Sequence, residues 1–183
     1  PVGDADGRDH GTMVAALAAG PGTGGGAGMI GVAPQAKILS ISIGFVSEAT
    51  NSDEQIADAV TWAVKHGANI INMSLTRNTL AWPPSWDKAF LYAMQHNVVI
   101  VAAAGNDNDT AVQQVPNGAY NGYGVGSLDP SRYNQVSDFS NFALSSDRRS
   151  KPDLVAPGDG IERANANWET SAEYSFSPVL MPS

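Results

Sequence analysis

The chain has 183 residues, 43% of them hydrophobic, which points to one domain with a sizeable core rather than a disordered chain. Its 18 acidic and 10 basic residues give a formal charge of −8, the wrong sign for a phosphate backbone, and no Lys/Arg cluster offsets it, which argues against nucleic acid as a partner. The absence of cysteine excludes disulfides, thiol catalysis and cysteine-ligated zinc and suits an exported protein, while no stretch approaches the roughly 20 apolar residues of a membrane span.

In chain order, HGTMVAALAA (10–19) is small and apolar nearly all round, the pattern of a helix packed inside a domain, and Gly20-Pro21-Gly22 stops it. His10 then stands in its first turn. PGTGGGAGMIGVAP (21–34) reads as a loop, and AKILSISIG (36–44) alternates and β-branches like a strand. From Ser52, a plausible N-cap, SDEQIADAVTWAVKHG places Ile56, Val60 and Val64 at i, i+4, i+8, with acids in the first turn and Lys65-His66-Gly67 closing the last. ANIINMSL (68–75) has strand length, PSWDKAFLYAMQHN (84–97) reads as another helix, and VVIVAAAGN (98–106) as another buried strand. The alternation predicts a largely parallel sheet, with strands near 37–43, 69–74 and 98–103 side by side. YGVGSL (122–127), DFSNF (138–142) and DLVAPG (153–158) read as short strands, and the run after Gly160 has no clear period. No repeat or linker divides the chain.

In an open parallel sheet, functional groups gather at the carboxyl ends of the strands. Asn106 follows a buried run directly and offers a side-chain amide donor there. A histidine in the first turn of a helix can serve as a proton acceptor for a neighbouring hydroxyl. His10 and Asn106 thus offer a general base and an oxyanion stabiliser, two of the parts that acyl transfer needs. A hydroxyl nucleophile and a carboxylate behind the histidine complete the set.

The ordered motifs His10-Gly11-Thr12, Gly31-Val32-Ala33-Pro34, Ile71-Asn72-Met73-Ser74-Leu75, Ala102-Ala103-Ala104-Gly105-Asn106 and Lys151-Pro152-Asp153-Leu154-Val155-Ala156-Pro157-Gly158 resemble those of the subtilisin-like serine proteases, or subtilases. The resemblance covers roughly residues 7–160 and leaves 161–183 an unassigned tail of a single partial catalytic domain. It implies an α/β, doubly wound, mostly parallel sheet with helices on both faces, here lacking the family's N-terminal strand and C-terminal helices. It also implies that His10 is the catalytic base and Asn106 the oxyanion-hole side chain, facing one cleft. Ser74, Leu75, Thr76 and Ala103, Ala104, Gly105 correspond to walls of the primary specificity pocket, and Ala49, Thr50, Asn51 to an edge that pairs with an extended polypeptide substrate. Thr76 stands where the family usually has glycine, which implies a narrower cleft.

Two parts depart from the pattern. The family's catalytic aspartate lies on a strand well upstream, ending in a motif like Asp-Thr-Gly, whereas only Asp4, Asp6 and Asp9 precede His10 here. The nucleophile normally stands in Gly-Thr-Ser at the start of a helix; Thr170-Ser171-Ala172 keeps part of that motif and Ser175-Phe176-Ser177 is better spaced, so Ser171 and Ser175 are the candidates. The chain starts at Pro1 with no signal-peptide pattern, which is read as processing or as a piece of a longer chain whose remainder is a partner. The reading is a secreted or cell-surface serine endopeptidase. Its alternative is a catalytically inactive subtilase-like module that binds peptide.

Other motifs read more plainly. Gly26-Ala27-Gly28-Met29-Ile30-Gly31 matches the dinucleotide fingerprint formally, but that fingerprint needs a strand before it and a helix after it. Many subtilases bind calcium, and Asn106-Asp107-Asn108-Asp109 invites a site, yet four adjacent residues cannot all converge on one ion, so a solvated turn is preferred. No cofactor or metal is assigned. His66 and His96, each at a helix end, are read as structural.

Overall fold

A computed structural model of the chain describes residues 10–22, 30–43, 52–77, 82–108, 115–132 and 135–161. They belong to two units, one of residues 1–47 with 161–179 and the other of residues 48–160 with 180–183.

In the first unit, helix α1 (His10–Ala19) ends as its glycine and proline dictate. A helix C-terminus leaves carbonyls without intrahelical partners. Here the returning segment supplies them: Gly31 N–H donates to the Gly20 carbonyl (2.8 Å), Val32 N–H to Leu17 (2.9 Å) and Ala33 N–H to Ala18 (2.8 Å). The approach is close enough that a Cβ on Gly31 would lie 2.5 Å from the Gly20 nitrogen and 2.6 Å from that of Ala19. Two expectations fail in this unit. Within α1 only Met13 is buried, so apolar character all round has not made a core helix. Among the described residues no ladder takes in 37–43, and Ile38, Leu39 and Ile41 are exposed. Alternation gives a segment the capacity for a strand, but only a paired edge makes it one.

The second unit holds the sheet. Helix α2 (Ser52–Lys65) buries Ile56, Val60 and Val64, as their spacing predicts, together with Ala57 and Ala63. Helix α3 (Pro84–Gln95) opens with proline at its first position and buries Trp86, Ala89, Phe90 and Ala93 along one stripe. The two helices pack together, and Trp86 Nε1 donates to the Asp53 carbonyl of α2 (3.0 Å). Trp82 sets its ring edge-on against Trp86 and Phe90, with centroids 5.6 and 5.4 Å apart.

Strands β1 (Ile70–Met73), β2 (Val99–Ala103) and β3 (Tyr123–Asp129) run parallel in that order. The short β4 (Gln135–Val136) joins β3 antiparallel. After the hairpin of β5 (Ala143–Leu144) and β6 (Ser150–Lys151), β7 (Leu154–Pro157) pairs parallel with β3. The expected strand at 138–142 is a turn instead. Its Ser140 and Asn141 are buried and bond backbone groups of other segments, an option that serine and asparagine side chains offer in place of a ladder.

Candidate active site

The register of β1 on β2 sets Met73 beside Ala102, so the two strands finish next to each other and their following segments leave the same end of the sheet. Ser74, Leu75 and Thr76 leave β1 half-buried, and the Ser74 hydroxyl accepts a hydrogen bond from Asn72 Nδ2 (2.8 Å). From β2 come the buried Ala103, Ala104 and Gly105, then a half-buried Asn106. Ala104 N–H donates to the Val125 carbonyl (2.9 Å), carrying the pairing with β3 one residue past the strand. At Gly105 the backbone turns with φ +105°, a region that disfavours any side chain.

The turn at 106–108 is held from outside. Asp107 N–H donates to Asn141 Oδ1 (2.8 Å), Asn141 N–H to the Gly105 carbonyl (3.1 Å) and Asn108 N–H to the Phe139 carbonyl (2.9 Å). The sequence reading missed Asn141 and Phe139, and no local pattern marks them, because their partners are some thirty residues away. Beyond the turn, the Asp153 carboxylate accepts Gly124 N–H at the start of β3 (2.6 Å) and the buried Lys151 ammonium (2.5 Å), which also donates to the Gly122 carbonyl (3.3 Å). Burial pushes the Asp153 carboxyl up, but the bonds from Lys151 and Gly124 outweigh it and hold it below its ordinary value.

His10 is the first residue of α1, half-buried, and belongs to the first unit, whereas Ser74–Thr76 and Ala103–Asn106 belong to the second. Ala49, Thr50, Asn51, Asp4, Asp6, Asp9, Ser171, Ser175 and Asp109 lie outside the described residues. Among the described residues no three His, Cys, Asp or Glu side chains are grouped to hold a metal ion. His66 and His96 each set Nδ1 2.8 Å from a carbonyl one turn back, of Trp62 and Tyr92, and lie against those aromatic rings.

The subtilase family profile matches residues 3–179. The chain belongs to the subtilase family. It is 34% identical over 155 residues to the thermophilic serine proteinase of Bacillus sp. strain AK1, covering 84% of this chain and 35% of that one. It is also 34% identical, over 161 residues, to the major intracellular serine protease of Bacillus subtilis strain 168, with 85% and 46% covered. Among solved structures, sphericase superposes with a TM-score of 0.74 at 29% identity, covering 86% of this chain and 55% of that one. The subtilase chain described here therefore spans about a third to a half of these relatives. Its mostly parallel α/β sheet is the subtilisin-like fold.

Proposed function

We propose that this chain carries the base and oxyanion part of a serine endopeptidase site that acts on polypeptides. The observation that carries the reading is the delivery of Ser74–Thr76 and Ala103–Asn106 from adjacent strand ends, within a chain of subtilase sequence. In the proposed reaction a serine Oγ attacks the peptide carbonyl carbon while His10 Nε2 takes its proton. The carbonyl oxygen becomes an oxyanion, which Asn106 Nδ2 stabilises as a donor. His10 then returns the proton to the leaving amine, and water hydrolyses the acyl-enzyme by the same route. Side chains perform both proton transfer and charge stabilisation, so the reading calls on no cofactor. Thr76 adds a side chain to the pocket wall and narrows it. Ser171 or Ser175 would be the nucleophile within these residues, and Ala49, Thr50 and Asn51 the edge that pairs with the substrate backbone.

Glu169 in place of glycine before Thr170-Ser171, and Tyr174 in place of threonine before Ser175, support a second reading, an inactive module that binds peptide. Export is proposed from the lack of cysteine. Replacing Asn106 with Leu in the full-length protein separates the two activities. A protease should lose about 10²–10³ in kcat with KM nearly unchanged, because the amide acts on charge that develops in the transition state. An unchanged kcat with weakened binding would reassign Asn106 to substrate holding, and peptide binding without any cleavage would favour the inactive module.

A further inference from the structure

An oxyanion donor works only if its direction is fixed before the charge appears. Asn106 sits on a turn, just after a glycine with φ +105°, where backbone can relax easily. One buried residue bonds that turn at two points. Asn141, 1% exposed, takes the peptide groups on either side of Asn106: its own N–H donates to the Gly105 carbonyl (3.1 Å), and its Oδ1 accepts the Asp107 N–H (2.8 Å). With both flanking peptides fixed, the Cα–Cβ direction of Asn106 is fixed as well. A third bond, from Asn108 N–H to the Phe139 carbonyl (2.9 Å), stops the turn from pivoting about the first two.

The segment that carries Asn141 is itself anchored in the sheet. Ser137 N–H donates to the Ser127 carbonyl of β3 (2.9 Å), Ser127 N–H donates to Ser140 Oγ (3.0 Å), and the Ser127 and Ser137 hydroxyls share a bond of 2.7 Å. All three serines are buried. A rigid path therefore runs from β3 through the serines to Asn141 and on to the peptides around Asn106.

We propose that Asn141 is a positioning residue for catalysis, which aims the Asn106 amide at the oxyanion; this rests on the oxyanion role proposed for Asn106. Asn141→Leu removes the side-chain acceptor at similar volume and leaves the backbone bond, so the expected loss is about 10- to 100-fold in kcat, the cost of a misaimed group, with KM within about threefold. The deciding measurement is a cycle of Asn106→Leu, Asn141→Leu and the double variant in the full-length protein. If Asn141 acts through Asn106, the double variant has the kcat of Asn106→Leu alone. Losses that multiply, or an unchanged kcat in Asn141→Leu beside a depressed one in Asn106→Leu, overturn the positioning role and leave the oxyanion reading standing. An unchanged kcat in Asn106→Leu removes the oxyanion reading, and the positioning role falls with it. Amide exchange reads the clamp without any turnover: Asn141→Leu should speed exchange at Asp107 at least tenfold while Ile100 and Ala102 keep their protection. Unchanged exchange at Asp107 overturns the proposal. Should the Leu variant lose its cooperative melt, Asn141→Ala makes the same test without added bulk.

Discussion

At the scale of single residues, Lys151 and Asp153 show how a charge is made tolerable inside this fold. The Lys151 side chain is 1% exposed, and its ammonium has an anionic partner in Asp153, which is itself one-third exposed at 34%. Breaking a buried pair from one side leaves an uncompensated charge, at a cost of about 3–5 kcal/mol. Because Asp153 keeps some contact with water, Lys151→Met should fall near the lower end, about 3 kcal/mol, read from the urea midpoint at neutral pH. A change below about 1 kcal/mol would mean that water already solvates the pair. The pH dependence follows from carboxyls with lowered folded values. Asp129 is held at about 2 by Ser131 and then Arg132, and Asp147 at about 2 by Arg149 and then Ser145; Asp153 is lowered as well. A carboxyl lowered on folding contributes stability above its unfolded value, near 3.9, and that contribution is lost as pH falls through the folded value. The melting temperature should therefore drop between about pH 4 and pH 2, less steeply in Asp129→Asn.

At the scale of elements, the sequence was most legible where a periodic apolar face met a partner. Ile56, Val60 and Val64 announced α2 and are buried, and the run at 99–103 announced β2, which buries Ile100, Ala102 and Ala103; the run at 70–73 announced β1, although that strand buries only Met73 and leaves Ile70 exposed. Long-range polar contacts leave no such trace. Asn141 and Ser140 sit in a stretch read from the sequence as a short strand, whereas in the fold it turns and their side chains accept the Asp107 and Ser127 N–H groups. Asn106 was expected just after a buried strand and stands there, whereas Asn141, which bonds the peptides beside it, left no local signal. The close seam in the first unit yields a prediction of its own. A Cβ on Gly31 would meet backbone atoms, including the Ala16 carbonyl oxygen at 2.8 Å, and backbone cannot rotate away as a side chain would. Gly31→Ala should push the 31–33 segment off the end of α1, cost about 1–3 kcal/mol as overpacking does, and speed amide exchange at Val32 and Ala33. Retained protection at both amides would show that the seam can open without strain.

At the scale of the whole molecule, two essential parts of the proposed reaction have no clear carrier in these 183 residues, which span 35% and 46% of two protease relatives. Triad members act as a unit, so losing either partner of His10 is severe by itself and the defects do not simply multiply. A histidine without its carboxylate loses the group that fixes its tautomer and steadies the imidazolium, worth about 10⁴ in kcat for serine proteases generally. Neither Ser171 nor Ser175 stands in the Gly-Thr-Ser sequence that carries the family's nucleophile. The 183 residues alone should therefore show no stoichiometric labelling by a serine-directed fluorophosphonate, while a longer form of the protein should be labelled at one serine. Peptide mapping identifies the modified residue. Labelling of the short form at Ser171, Ser175 or Ser177 would show that the nucleophile lies within it and that the family's usual motif is dispensable here. Labelling of neither form, alongside saturable peptide binding by both, would instead establish the inactive module.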